Sequence, residues 1–303
     1  MRSLRTLAAV TAAFGYVLVA LSPIVRITGS GLGCGDHWPL CNGRIIPPLD
    51  DLPVMIEWGH RLAVVGLSVL VAALFLTAWL RRGAPGVAGP GGVLRPVVLA
   101  ALLLVVQSLL GAVTVWLELP PAVVVVHLAN AMALLAALCV AALRAHRAVA
   151  GPTAPASAPA WRSAVVAAVM AAVALLLGAL TANLGAGFAC SGFPLCNGRL
   201  WPAAGGGLAH IHWMHRLIAY GLLLHVIGMV ARGRGRHEPE DFMAALWLVL
   251  GLLVAHVTVA AIMVLQHLPM PLRVLHAALG ALVWVGLVGL VGVAARTSAT
   301  ATG

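Results

Sequence analysis

Eight stretches of about 20 or more mostly apolar residues run through this 303-residue chain, separated by short polar segments. A stretch of that length can cross the hydrocarbon core of a bilayer as a helix. Hydrophobic residues make up 62% of the chain and charged residues 9%, which is too apolar for a soluble globule. We therefore predict an all-α integral membrane protein with eight transmembrane helices, at residues 5–25, 54–80, 94–117, 121–143, 162–182, 209–231, 242–265 and 270–295.

The first apolar stretch follows Arg2 and Arg5, as the apolar part of a signal peptide would. It is long, however, and no convincing small-x-small cleavage site follows it. We expect it to be a retained helix.

The basic residues, which are all arginine, give the chain a formal net charge of +10. They sort by loop: Arg2, Arg5, Arg81, Arg82, Arg95, Arg144, Arg147, Arg162, Arg232, Arg234, Arg236 and Arg296 on one side, and Arg26, Arg44, Arg61, Arg199, Arg216 and Arg273 on the other. The positive-inside bias then places both termini in the cytoplasm of a multi-pass cell-membrane protein. The excess charge reflects topology and contact with anionic membrane lipid, and no nucleic-acid partner is expected.

The hexapeptide PLCNGR occurs twice, at residues 39–44 and 155 positions later at 194–199. The tripeptide HRL recurs at the same spacing, and two similar segments around His127 and His276 lie 149 positions apart. Since each copy contains four helices, the two copies insert into the membrane in the same direction, as parallel repeats. On the predicted topology, both copies of the hexapeptide face outward.

Residues 147–161 are rich in Pro, Ala and Ser and have no apolar period, so we predict a flexible cytoplasmic linker there. The linker divides the chain into two repeat-related four-helix bundles, residues 1–150 and 151–303.

Each predicted outer loop contains its own pair of cysteines, Cys34 with Cys41 and Cys190 with Cys196. In an oxidising compartment such a pair most simply closes a small loop as a structural disulfide. A redox-active pair is the main alternative, and a metal site is disfavoured because neither pair has a second set of ligands. Cys139, inside a predicted helix, fits a core position.

Four of the twelve histidines lie at matching depths in the predicted helices. His60 and His127 each lie about 9 Å beyond the start of their helix, and His215 and His276 repeat the pattern in the second half. A single buried histidine is usually a packing residue, whereas two opposed imidazoles can bind one heme iron axially. We expect one heme per half, with these four histidines as ligands. His256 and its repeat counterpart Gln107 are candidates for lining a polar path.

Three further residues differ from the apolar background of the same helices. Arg61 and Arg216 directly follow a predicted ligand, where each guanidinium could pair with heme propionates or extend to lipid headgroups. Glu57 precedes His60 by three residues, so it lies on nearly the same helix face. The equivalent residue in the second half is His212. A carboxyl beside one porphyrin alone could move a proton or stabilise positive charge there, while pairing with Arg61 is the simpler alternative.

These residues together resemble the heme A synthases of cytochrome oxidase assembly. The resemblance is carried by TGSGLGCGDHWPLC and EWGHRL in the first half, by ACSGFPLCNGR and HWMHRL in the second, and by His127 and His276. It implies oxidation of a methyl group of heme O to a formyl group, through a hydroxymethyl intermediate, to give heme A. It also implies that His60, His127 and the catalytic Glu57 belong to the substrate site, that His215 and His276 bind a resident heme B, and that the cysteines pair within each loop.

Other classes use the same residues differently. A two-heme cytochrome b-type electron carrier would need the same four histidines but not Glu57. A transporter would need helices broken at mid-membrane in both halves, and a quinone-linked disulfide oxidase would leave the matched histidines unexplained. For a synthase, the expected partners are a heme O synthase and an electron donor that the sequence does not identify. The sequence is also compatible with a homo-oligomer.

Overall fold

The computed structural model describes residues 1–48, 50–151, 154–202 and 206–295. Within them the chain forms eight long helices: α1 Arg2–Ile27, α2 Leu52–Leu80, α3 Leu94–Trp116, α4 Pro121–Ala150, α5 Ala158–Asn183, α6 Gly206–Gly235, α7 Glu240–Leu265 and α8 Met270–Ala294. Each is long and apolar enough to cross a membrane. The predicted all-α fold with eight spans is confirmed, and each predicted span overlaps one helix.

The predicted linker at residues 147–161 is shorter than expected. Helix α4 continues to Ala150 and α5 begins at Ala158, so both ends of the segment are helical. Alanine and arginine are good helix formers, which outweighs the lack of an apolar period. Residues 152–153, and Arg296 beyond α8, lie outside the described residues.

The start of α5 is tied down by polar contacts. The Ser157 side chain accepts a hydrogen bond from the Ala160 amide at 3.3 Å and so caps the helix. The buried carboxylate of Glu238, between α6 and α7, accepts bonds from the amide and the hydroxyl of Ser157. The second half is thereby anchored at its first helix.

Each half is a ring of four helices. In the first half α1 contacts α2 and α4, and α3 contacts the same two helices; α5 to α8 are arranged in the same way. Each ring has its own cluster of buried apolar side chains, with Leu74 and Leu138 in the first and Phe242 and Leu287 in the second. Apolar side chains such as Leu102 are exposed on the outer surface, where lipid would cover them.

The two rings meet where α8 packs on α1 and α4, and where α4 packs on α5. Side chains donate to backbone carbonyls across this contact: the Trp284 indole to Met132 at 3.0 Å and the Tyr16 hydroxyl to Ala278 at 3.4 Å. Helices α2 and α4 are diagonal to one another within the first ring, as are α6 and α8 in the second. The predicted ligands therefore lie on diagonal helices.

Candidate heme sites

A tight turn explains why the same hexapeptide occurs in both loops. Asn42 and Gly43 have φ values of 50° and 75°, and Asn197 and Gly198 have 52° and 73°. Two successive residues with positive φ form a turn that Asn-Gly adopts readily. The turn closes with an amide-to-carbonyl bond from Arg44 to Cys41 at 2.9 Å in the first loop. The predicted pairing of the cysteines is confirmed, because Cys34 is bonded to Cys41 and Cys190 to Cys196.

The arginine after each predicted ligand binds the neighbouring disulfide loop. Arg61 donates from Nη1 to the carbonyls of His37 at 2.7 Å and Leu40 at 2.6 Å. Arg216 donates from Nη1 to the carbonyls at the positions 155 residues later, Gly192 at 2.9 Å and Leu195 at 3.0 Å. Each guanidinium thus fixes a loop onto its helix. The predicted pairing with heme propionates stays a prediction.

Glu57 also contacts the first loop. Its side chain, in a residue only 4% exposed, accepts from the Cys34 amide through Oε2 at 2.8 Å and pairs with Arg61 through Oε1 at 2.5 Å. His212 takes the equivalent place in the second half: its Nε2 accepts from Arg216 Nε at 3.2 Å, and its Nδ1 bonds the Ala186 carbonyl at 3.1 Å. One site therefore contains a buried ion pair where the other has a neutral imidazole.

In the second half, the structure brings His215 and His276 together. Their ring centres lie 6.3 Å apart, with an angle of 88° between the planes. Two imidazoles bound to one metal would have ring centres about 6.0–6.5 Å apart, given nitrogen–metal bonds of about 2.0–2.1 Å and about 1.1 Å from each nitrogen to its ring centre. The separation fits a shared iron.

The surroundings of His215 also suit a ligand. Its Nδ1 bonds the Ala174 carbonyl at 2.9 Å, so Nδ1 carries the proton and Nε2 has the free lone pair. A Cβ atom at Gly178 would lie only 2.9 Å from Cε1 of His215, so a larger residue would displace the ring. His276 Nδ1 is buried without a hydrogen-bond partner.

A third imidazole lies beside this pair. His256, on α7, has its ring centre 4.3 Å from that of His276, with the planes tilted by 31°. Its Nε2 is buried and has no hydrogen-bond partner. Such unpaired buried polar atoms are costly unless something binds there, so the cluster fits a heme site.

In the first half, His127 is bonded to an amide. Gln107, on α3, lies with Nε2 at 2.9 Å from Nε2 of His127, and Asn130 donates to Gln107 Oε1 at 2.7 Å. The Nδ1 of His127 is buried without a hydrogen-bond partner.

His60 lines an apolar groove between α1 and α2. The groove has a volume of about 210 Å³, and its other walls include Phe14, Leu18, Ile56 and Ala63. His60 is therefore reachable from the side of the bundle. Open space borders His60, whereas Nε2 of His127 is already bonded to Gln107, so heme binding by the first pair stays a prediction.

Comparison with known proteins places this arrangement in a family. The COX15-CtaA model, described as cytochrome oxidase assembly protein, matches residues 5–288, which include all four predicted ligands. The chain belongs to this family. The family match thus confirms the resemblance drawn from the loop and histidine motifs.

Individual relatives give the same picture. A protein named Heme A synthase from Alkalihalophilus pseudofirmus is 30% identical over 224 residues, which cover 72% of each chain. One of the same name from Symbiobacterium thermophilum is 29% identical over 291 residues, 92% of this chain and 91% of its own length. A Thermus thermophilus protein named Protoheme IX farnesyltransferase is 47% identical over 139 residues, but these are 42% of this chain and only 21% of that protein.

Two contacts at the candidate sites are not predicted by the sequence analysis. Asn130, which orients Gln107, is a polar residue one turn beyond His127 in the apolar part of α4, and its counterpart in the second half is Leu279. The contacts from Arg61 and Arg216 to loop carbonyls were also not predicted, because backbone acceptors leave no trace in residue identity.

Proposed function

We propose that this chain is a heme A synthase, a membrane oxidoreductase that converts a methyl group of heme O to a formyl group through a hydroxymethyl intermediate. The observation that carries the proposal is family membership over residues 5–288, together with a relative named Heme A synthase that matches 92% of the chain. Residues 5–288, the range that the family model matches, contain Glu57 and both histidine pairs.

The C-terminal half is proposed to hold a resident heme B between His215 and His276. The 6.3 Å separation of the rings and the Ala174 carbonyl that fixes the His215 tautomer support this assignment. When bound, such a heme supplies one-electron redox chemistry. The protein's own contribution is to orient the two imidazoles and to exclude water from the pair.

The N-terminal half is proposed to bind the substrate heme O between His60 and His127. The groove beside His60 gives an amphiphilic substrate a path from the lipid without opening the ring of helices. Arg216 adds a positive charge next to the C-terminal pair, where a propionate would be stabilised. In the N-terminal half the charge of Arg61 is already balanced by Glu57, so a propionate there would share the guanidinium with this carboxylate.

Glu57 is proposed to be the catalytic residue. It lies one helical turn from His60, and its charge has no equivalent in the second half, where His212 replaces it. A preorganised carboxylate in a site with little water stabilises positive charge that develops next to it, and it can accept a proton. Arg61 and the Cys34 amide hold this carboxylate in place.

Pigment analysis tests the proposal directly. Cells that make heme O are grown with and without this chain, and their hemes are extracted and separated by chromatography. Heme A is expected only with the chain, and a His60→Ala/His127→Ala variant should make none. Heme O left unconverted by a folded wild-type chain would contradict the proposal.

The second candidate is a two-heme electron carrier. The observation in its favour is that both Glu57 oxygens already have partners, the Cys34 amide of the first loop and Arg61 of the same helix, so this residue could serve structure alone. A carrier would give reversible reduction of both hemes and no change in the extracted pigments. The same experiment therefore separates the two functions.

A heme O synthase is the proposed partner. The Thermus thermophilus protein named Protoheme IX farnesyltransferase contains a segment like this chain and is much longer, so the match is a minor part of one polypeptide. Segments joined in one chain are held at high effective concentration. We expect the separate proteins to associate in the membrane, and co-purification of a tagged chain with the synthase would test this.

The disulfide loops are proposed to face outward and both termini to face the cytoplasm, as the arginine distribution indicates. Labelling of single introduced cysteines with a membrane-impermeant reagent in intact cells would test this orientation. Reagent should reach Ile46→Cys and not a cysteine placed at exposed Arg82.

A further inference from the structure

A chain of polar side chains ends on His127 in the first half. Asn130 Nδ2, which can only donate, reaches the Leu103 carbonyl at 2.9 Å and Gln107 Oε1 at 2.7 Å. This fixes the orientation of both amides. Gln107 therefore presents its own NH₂ group to His127.

The direction of the last bond follows from the donor chemistry. The Gln107 amide nitrogen can only donate hydrogen bonds, so His127 Nε2, 2.9 Å away, must be the acceptor. The ring proton then lies on Nδ1, which is buried without a partner. The lone pair on Nε2 that an iron would use is thus occupied by a hydrogen bond.

The second half lacks this arrangement. The residue equivalent to Gln107 is His256, and the one equivalent to Asn130 is Leu279. His256 packs against the His276 ring with 4.3 Å between centres, and its Nε2 is buried without a hydrogen-bond partner. Among the described residues at these equivalent positions, the oriented amide lies beside His127 and has no counterpart beside His276.

We propose that Gln107, oriented by Asn130, reversibly caps the His127 lone pair by a hydrogen bond. This cap allows heme to leave and be replaced at the N-terminal site. The inference rests on the proposed function, in which that site must release product while the C-terminal site keeps its heme. Whenever the iron–nitrogen bond opens, the amide takes its place and competes with rebinding. Gln107 is a positioning residue, since it acts through His127.

The effect of Gln107 on heme release cannot exceed the free energy of one hydrogen bond between neutral groups. Replacing Gln107 by Leu should slow heme loss from the N-terminal site by about tenfold, which corresponds to about 1.4 kcal/mol. Asn130→Leu, which installs the residue of the second half, should give a smaller change in the same direction, because the amide is retained but no longer oriented.

The experiment uses the full-length chain loaded with hemin, and excess apomyoglobin captures the hemin that is released. Because His256 stacks on His276 and could replace it, a His276→Ala/His256→Leu background confines binding to the N-terminal pair. A His127→Ala background confines it to the C-terminal pair. Release is expected to be slower for Gln107→Leu only in the first background. In the second background, His256→Gln should speed release by adding an amide beside His276.

Equal release rates with and without Gln107 would overturn the cap while leaving the heme sites intact. Failure of the His276→Ala/His256→Leu protein to bind any hemin, with wild-type protein binding it, would instead overturn the N-terminal heme site and the cap with it. If this double variant does not fold, the two release phases of the otherwise unchanged chain give the same comparison, since Gln107→Leu should slow the faster phase alone.

Discussion

The two halves share the parts that hold the loops and differ in the parts next to the predicted ligands. Both have the Asn-Gly turn, and in both an arginine binds two loop carbonyls at equivalent positions. They differ at three equivalent positions: Glu57 in the first half corresponds to His212 in the second, Gln107 to His256, and Asn130 to Leu279. The common elements hold each loop on its helix, whereas the differences lie next to the predicted heme ligands.

The comparison predicts first that the second half alone retains heme. His276→Ala should abolish the low-spin heme spectrum of the purified protein, because one of two axial ligands is lost. Since His256 stacks on His276 and offers a replacement imidazole, the variant is also made with His256→Leu. Exposed His146→Ala is the control and should keep the spectrum. An unchanged spectrum in the double variant would show that the ligand is another residue.

The second prediction concerns Glu57, the carboxylate that the first half has and the second half lacks. Glu57→Gln keeps an oxygen that accepts the Cys34 amide, but it removes the charge. We expect heme A formation to fall about 100-fold, in the range for loss of one acid or base, while both hemes still bind. Asp36→Asn, at an exposed loop position, is the control. Equal heme A yield from Glu57→Gln would leave the carboxylate with a structural role only.

The two loop-binding arginines should differ in their effect on stability. Arg61→Ala leaves the buried Glu57 carboxylate unpaired and should cost about 3–5 kcal/mol. Arg216→Ala leaves only carbonyls and a neutral imidazole without hydrogen-bond donors, so it should lower the free energy of unfolding by about 1–3 kcal/mol. Melting of the detergent-solubilised protein measures both. Adding Glu57→Gln should recover part of the loss in Arg61→Ala; without such recovery, the ion pair is not the cause of the difference.

The smallest predicted effect concerns backbone packing in the loops. A Cβ atom at Gly33 would lie 2.5 Å from the Pro53 carbonyl, whereas the equivalent residue before the first cysteine of the second loop is Ala189. Gly33→Ala should therefore lower stability by about 1–3 kcal/mol, since the backbone of α2 would have to move. Ala189→Gly should cost less than that in the same melting assay. A Gly33→Ala protein as stable as wild type would mean that the loop adjusts freely.

The sequence predicts the helices well because a membrane span requires a long apolar segment, which is visible in residue order. It also predicts the cysteine pairs, since only nearby cysteines share a loop. His215 and His276 could be paired because both are at repeat positions. By contrast, the groove beside His60 arises from the packing of α1 against α2. The hydrogen bonds from Arg61 to the first loop are accepted by backbone carbonyls, which every residue has. Neither feature depends on a pattern in one segment of sequence.

The grip of Arg61 and Arg216 on the loop backbones bears on the chemistry of the cysteines. Each disulfide closes its loop internally, and the arginine separately binds the loop backbone to the helix, so breaking the sulfur–sulfur bond would leave that second attachment in place. A thiol pair held in this way can be reoxidised without a conformational search. Electron exchange at the cysteines and a structural role for the loop are therefore compatible in the same few residues.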